Sequence, residues 1–330
     1  MKCLVTGSAG FIGSHLCEAL LQKGFLVTGV DDLSVGRLTN IDSIINNDNF
    51  TFMKCDISNS KDLNSIGNDF DYVFHLAALA DIVPSIENPK RYFEVNVSGT
   101  VNLLEHCKNS NIKKFIYAAS SSCYGIPDKY PTSENSDIRT EYPYAMTKHL
   151  GELCVTHWCK VYNMPFLSLR LFNVYGPRAR TSGTYGAVFG VLLAQRANNK
   201  PLTIVGDGMQ TRDFTFVTDV VSAFIAGAES QIKNIIFNVG SGGTYAINYL
   251  ADLIGGPRIY IPKRPGEPEC TFADIRQIKK ELEWQPYISF EEGVKVMINN
   301  IEHWKDAPIW DRDSIGKATE KWFAFLDKKA

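Results

Sequence analysis

The sequence predicts an α/β protein built on a doubly wound parallel sheet, joined to a smaller, discontinuous α/β domain. Three observations carry this. Short β-branched runs alternate with amphipathic stretches, several of those runs are almost continuously apolar, and a glycine-rich turn joins the first run to the first helix. Strands that read as unbroken apolar runs are buried on both faces, which is the position of strands in a parallel sheet covered by helices.

The elements follow in order. CLVTG opens as a strand, Phe11 to Lys23 is a helix, and FLVTGVD, TFMKCD and YVFHLAA are the next three strands. A helix near Tyr92 to Asn109 leads to KFIYAAS, Tyr144 to Val161 is a long helix, and PFLSLRLFNVYG is a further strand ending in a loop. The pattern then breaks up into a helix near Val188 to Asn198, the turn-rich GDGMQTRDF, a strand near IIFNVG and a Pro-rich stretch from Gly255 to Pro268. Residues 1–173, with a return near 213–240, are therefore assigned to the sheet domain, and 174–212 with 241–304 to the second. Residues 305–330 form a helical tail, with Ser314 as N-cap and Ile315, Ala318, Trp322 and Phe325 on one face.

Composition narrows the function classes. In 330 residues, 34 basic and 36 acidic side chains leave a formal charge of −2, so no broad positive field exists to hold a nucleic-acid backbone. The eight cysteines are scattered without a CxxC pair or zinc spacing, which predicts reduced, mostly buried thiols and no metal site. A strand begins within MKCLVTG, leaving no room for a signal peptide, and no apolar stretch reaches membrane-spanning length; a cytoplasmic protein is expected.

The turn TGSAGFIGSH places Gly7, Gly10, Phe11, Ile12 and Gly13 between the first strand and the first helix. Glycines let the backbone turn tightly and approach a pyrophosphate, which then meets the amides and the positive dipole end of the helix. Asp31 ends the second strand 18 residues after Gly13, where a carboxylate accepts hydrogen bonds from the adenosine ribose; this points to NAD, with Arg37 keeping NADP open. Asp56, followed by Ile57, falls near the adenine.

Ser120, Ser121 and Ser122 end the KFIYAAS strand, and YPYAMTK sets Tyr144 and Lys148 four residues apart at a helix start, hence on one face. A phenol of pKa near 10 is a poor base at neutral pH, and a neighbouring cation lowers that value, making Tyr144 a usable general base. A lone YxxxK is common as a surface pair. Downstream of a nucleotide-binding turn and a serine-ended strand it becomes specific.

Together TGSAGFIG, HLAALADIVPS, NVSGT, AASSSCYG, YPYAMTK, LRLFNVYGP and RDFTFVTDV resemble the extended short-chain dehydrogenase/reductase family, nearest its nucleotide-sugar epimerase branch, from Met1 to about Ile301. The resemblance implies a Rossmann fold, NAD, a nucleotide-diphosphate sugar as substrate, and a homodimer paired through the helices near Tyr92 to Asn109 and Tyr144 to Val161. It implies that Ser120 holds the sugar O4, that Tyr144 removes its proton, and that Lys148 binds the cofactor ribose. Asn96 matches the asparagine of the family's NVxGT segment, while His75, Ala77 and Ala78 match the cofactor-lining loop. His75 reads equally as a packed strand-end histidine. Asn173, Arg212, Arg264 and Glu267 match the groups that hold the substrate's diphosphate and ribose, and Thr271 the residue beside the sugar C2 substituent.

The dehydratase and decarboxylase branches place carboxylates where this chain has Ser121 and Ser122, so the resemblance favours 4-epimerisation through a transient 4-keto sugar. A C4 dehydrogenase or 4,6-dehydratase of the same fold, and a non-catalytic NAD-binding sensor or scaffold, are the alternatives. The last would be expected to lack the Ser, Tyr and Lys set.

Overall fold

A computed structural model of the chain describes residues 1–181, 187–263 and 267–326. Strands β1 (Lys2–Thr6), β2 (Leu26–Asp31), β3 (Phe50–Lys54), β4 (Tyr72–His75), β5 (Lys114–Ser120) and β6 (Phe166–Leu171) join the strand Ile235–Val239 in a seven-stranded sheet. The order is Ile235–Val239, β6, β5, β4, β1, β2, β3, and every pairing is parallel. Sequence order reverses at β1, which lies between β4 and β2, and a crevice opens beyond the carboxyl ends of strands at such a switch.

The apolar runs serve both faces of the sheet. Cys3, Val5, Phe74, Ile116 and Ala118 enter one buried cluster with helix α1 (Phe11–Gln22) and helix Val217–Glu229. Leu4, Val73, Phe115 and Tyr117, the alternate residues of the same strands, enter a second cluster with Leu103, Leu104 and Val155. Period-two alternation thus sends consecutive apolar side chains to opposite helical layers.

A third cluster builds the smaller domain around Tyr175, Phe189, Phe214 and Phe290, with the Tyr175 and Phe189 rings stacked at 4.4 Å. Its strand Leu202–Val205 pairs in parallel with Arg258–Ile261. Ala273, Ile275, Ile278 and Trp284 pack into the sheet's core, although the sequence assigns them to the smaller domain. The chain therefore crosses between the two cores twice more than its composition reveals, into the sheet core near Ala273 and back by Phe290.

The tail helix runs over Arg312–Leu326. Asp311 takes the capping role expected of Ser314: the Ser314 amide donates to Asp311 Oδ1 at 2.8 Å, and the Asp311 amide donates to Ser314 Oγ at 2.9 Å. Ile315, Thr319 and Trp322 are buried, whereas Phe325 is 63% exposed and leaves the predicted stripe. The cysteines are free, six of them buried and two half-buried. No helix among the described residues is long and apolar enough to cross a membrane.

Candidate active site

The crevice at the strand ends is a cleft of about 740 Å³ running from the glycine turn into the smaller domain. Gly7 has φ +72°, and a Cβ there would lie 2.9 Å from the Ala77 amide nitrogen. A Cβ on Gly13 would fall 2.0 Å from the Gly7 carbonyl oxygen. These positions accept no side chain. No acidic residue occupies the first turn of α1, so its N-terminal amides and dipole present a positive end to the cleft.

Asp31 lines the cleft beside this turn, its carboxylate accepting from the Ala9 amide at 3.1 Å and the Leu33 amide at 2.9 Å. Burial raises its pKa, and those amide hydrogen bonds offset part of the rise. Arg37 is turned away, donating to Thr181 Oγ1 at 2.9 Å. Burial works against ionised Asp56 too, but hydrogen bonds from Ser58 and the Arg91 guanidinium prevail and hold its carboxyl below the usual range. Asp56, Ile57, Ala77 and Ala78 all line the cleft, as do Gly7, Gly10, Phe11, Ile12 and Gly13. The cradle that excludes Cβ atoms and the carboxylate at the end of β2 fit a dinucleotide.

Two predicted cofactor contacts lie behind the wall instead. His75 is fully buried, with Nδ1 2.8 Å from Thr6 Oγ1 and Nε2 2.9 Å from Thr100 Oγ1, so both ring nitrogens are spent inside the protein. Thr6 Oγ1 also accepts from the Leu76 and Ala77 amides at 3.1 Å, which makes His75 a prop for the loop. Asn96, in a π-helical turn over Glu94–Ser98, acts similarly. It accepts from the Leu79 amide at 2.8 Å and donates to the Leu79 carbonyl at 3.0 Å and to Thr147 Oγ1 at 3.1 Å, tying the loop to the helix that carries Tyr144.

That helix spans Pro143–Val161, with Pro143 in the first turn where its missing N–H costs nothing. Tyr144 Oη donates to Ser120 Oγ across 3.4 Å, and Ser120 Oγ lies 2.7 Å from Ser122 Oγ. Desolvation by the cleft walls raises the Tyr144 pKa above its ordinary value, with the Ser120 hydrogen bond pulling it back. The lowering expected from Lys148 is not what this geometry gives, because the Lys148 ammonium sits over the Tyr117 ring at 4.4 Å. Burial brings Lys148 itself down to about 7, against the pull of Glu152. Glu152 is fastened to Arg170, whose Nη2 lies 2.6 Å from its carboxylate.

On the opposite wall Arg212 pairs with Glu267 at 2.8 Å. Thr271 Oγ1 donates to Asn173 Oδ1 at 2.7 Å and accepts from the Asp213 amide at 3.0 Å. All four predicted substrate residues there line the cleft, with Ser120, Ser121 and Ser122 facing the same space. Arg264 lies outside the described residues.

Sequence reasoning missed Tyr142, Arg180 and the pairing of Asp81, which the sequence marks only as a departure after HLAAL where some epimerases place a lysine. Tyr142 stacks on Tyr144, ring centres 6.4 Å apart, and hydrogen-bonds Ser122, so the serine pair is bracketed by two phenols. Its signal was the first tyrosine of YPYAMTK. Asp81, at φ +81°, pairs with Arg180 at 2.5 Å in the cleft wall; 99 residues separate them, and no local pattern links them.

A doubly wound sheet, a glycine cradle at its switch point and a Ser-Tyr-Lys set in one cleft define an enzyme of the short-chain dehydrogenase/reductase class. The chain belongs to the NAD dependent epimerase/dehydratase family, which residues 3–240 match. It is 38% identical over 307 residues to a UDP-glucose 4-epimerase of Mycolicibacterium smegmatis, covering 89% of this chain and 96% of that protein. The crystal structure of a UDP-glucuronic acid 4-epimerase from Bacillus cereus, in complex with UDP-glucuronic acid and NAD, superposes with TM-score 0.84 at 35% identity, over 92% of this chain and 99% of that one. A UDP-N-acetylglucosamine 4-epimerase from Methanobrevibacter ruminantium M1, in complex with UDP-N-acetylmuramic acid, gives TM-score 0.85 at 35% identity, over 92% and 97%.

Proposed function

We propose that this protein is an isomerase that inverts C4 of a hexose carried on a nucleoside diphosphate, UDP-glucose/galactose or the N-acetylhexosamine equivalents, through a transient 4-keto sugar. The observation that carries the reading is the Ser120, Tyr144 and Lys148 set sharing one cleft with the Gly7, Gly10 and Gly13 cradle. NAD, when bound, accepts the C4 hydrogen with its electron pair and returns it, so none is consumed. Ser120 Oγ positions the sugar O4, Tyr144 in its ionised phenolate form takes the O4 proton as C4 is oxidised to the ketone, and the phenol so formed gives it back on reduction. Lys148 holds the cofactor ribose, and Arg212 with Glu267 meets the diphosphate and ribose of the substrate.

Ser121 and Ser122 bear on the outcome. Neither hydroxyl supplies the carboxylate chemistry that expels water across C5 and C6, and Ser122 is engaged with Ser120. Return of the hydrogen to the other face of the keto sugar is the course this favours over dehydration. The Thr271 side chain is small and held by Asn173 and Asp213, which leaves room beside C2 for either a hydroxyl or an N-acetyl group.

The reading includes a cytoplasmic homodimer. Met146 and Leu153, two turns apart on the Pro143–Val161 helix, and Phe93 at the end of the Pro89–Phe93 helix are exposed apolar residues, suited to pairing with a second copy.

The test is incubation of purified protein with UDP-galactose, UDP-N-acetylglucosamine and UDP-glucuronic acid without added NAD, followed by sugar analysis. Interconversion of C4 epimers is expected. Accumulation of a keto sugar only when NAD is supplied would replace the epimerase with a dehydrogenase, and loss of water from the sugar would replace it with a dehydratase.

A further inference from the structure

The family resemblance stops at about Ile301, yet the chain beyond it walls the cleft: Trp304, Ala307, Pro308, Trp310 and Trp322 face the same space as Tyr144 and Arg212. This segment is anchored at both ends. On the smaller domain, Trp304 and Ala307 are buried in its core, and Asn198 Nδ2 donates to the Lys305 carbonyl at 2.9 Å. The buried Gln195 amide donates to Thr203 Oγ1 at 2.8 Å and to the Trp310 carbonyl. Ile315 then packs on Val205 and Ile261, with Trp310 against them. At its other end the helix Arg312–Leu326 lies on the helix Ile82–Glu87 of the sheet domain, where Lys321 Nζ is 3.2 Å from the Glu87 carboxylate.

The two anchors belong to different domains, and residues beside each line the substrate half of the cleft. Val205 adjoins Gln210 and Arg212, the wall assigned to the diphosphate; Ile82–Glu87 begins next to Asp81, whose charge acts on Tyr144. Seven residues of helix separate Ile315 from Trp322, about 10 Å at 1.5 Å per residue, comparable with the reach from a diphosphate to its sugar. We propose that Pro308–Leu326 is a strap over the substrate, with Trp310 and Trp322 as binding residues that cover the nucleotide sugar and retain its 4-keto form until the hydrogen is returned.

An indole offers a broad apolar face to the C–H side of a pyranose, and covering the site excludes water from the intermediate. The first end is fixed by buried side chains; towards the second, Thr319 and Trp322 are buried as well, and the exposed Lys321–Glu87 ion pair adds little.

The proposal rests on the epimerase reading, and its test separates the two. Trp322→Ala and Lys321→Glu are compared with the unaltered protein for bound NAD, KM and kcat with UDP-glucose and UDP-glucuronic acid, and released keto sugar trapped by borodeuteride. Unchanged NAD content is expected, with KM up at least tenfold and keto sugar escaping in Trp322→Ala, and a smaller escape in Lys321→Glu, where like charges face each other at Glu87. Unchanged KM and no escape in either variant would reduce the strap to packing. Should the unaltered protein turn over no nucleotide sugar, the epimerase reading falls. The strap is then judged by hydrogen exchange, in which UDP-glucose or UDP must slow amide exchange across Arg312–Leu326; no slowing with either ligand would overturn it.

Discussion

Lys148 Nζ lies 4.4 Å from the centre of the Tyr117 ring, and the Tyr117 hydroxyl donates to the Lys148 backbone carbonyl at 3.2 Å. One aromatic side chain thus holds both ends of the lysine. Burial outweighs this help, together with the pull of Glu152, and brings the Lys148 pKa down to about 7. An unfolded lysine titrates near 10.4, so the unfolded chain holds more protons between about pH 7 and 10.4. This site's contribution to stability rises with pH through that window, and below it the full cost of burying the charge remains.

Lys148→Met keeps the stem and removes the charge. Its Tm should exceed that of the unaltered protein at pH 7, by about 1–2 °C for each kcal/mol relieved, with the gain shrinking by pH 10. Turnover should fall at least a hundredfold. Thermal melts at the two pH values decide: a variant less stable at pH 7 would show that the ammonium is not a burden to the fold.

Tyr144→Phe removes the hydroxyl that reaches Ser120 and leaves the ring stacked near Tyr142. Bound NAD should be retained while kcat drops by about 10²–10⁴, the usual contribution of a positioned proton acceptor. The cofactor's absorbance after denaturation and a turnover assay check both halves. Unchanged kcat would remove Tyr144 as the base.

Gly13→Ala drives a Cβ to 2.0 Å from the Gly7 carbonyl oxygen, a backbone atom that yields only if the whole turn shifts. NAD affinity should fall more than tenfold, about 1.4 kcal/mol or more. Gly67→Ala meets no atom within 4 Å and serves as the control. Calorimetric titration of both with NAD tests the cradle; equal affinities would mean the pyrophosphate lies elsewhere.

The features legible in the sequence were those encoded by local spacing. The glycine turn, the strands ending at Asp31 and Ser120, and the helix carrying Tyr144 and Lys148 each rest on a period or an interval within about 20 residues, and the fold reproduces them. Pairings across the fold were not legible. That Asp81 meets Arg180, that His75 spends both nitrogens on Thr6 and Thr100, and that Lys148 turns to Tyr117 all depend on which strands become neighbours. The amphipathic stripe of the tail was visible, but its destination across the cleft was not, because a stripe specifies burial and not the surface that provides it.

His75 gives the sharpest pH test of this hidden framework. Burial drives its pKa down to about 3, with the Lys148 charge adding to the effect. An unfolded histidine titrates near 6.5, so above that pH both states are neutral and the stabilising contribution of the Thr6 and Thr100 contacts is complete. As pH falls below 6.5 the unfolded chain gains a proton that folded His75 refuses, and stability drains by about 1.4 kcal/mol per pH unit toward pH 3. His15 and His303 are also pushed down by burial and add to the slope, so the informative quantity is a difference. His75→Gln should be less stable than the unaltered protein at pH 8, because it leaves Thr6 or Thr100 short of a partner, yet lose less stability between pH 7 and pH 5. Urea midpoints at pH 8, 7, 6 and 5 measure both curves. Parallel curves would show that His75 takes up its proton as readily in the folded protein as in the unfolded chain, and the buried bridge between Thr6 and Thr100 would have to be abandoned.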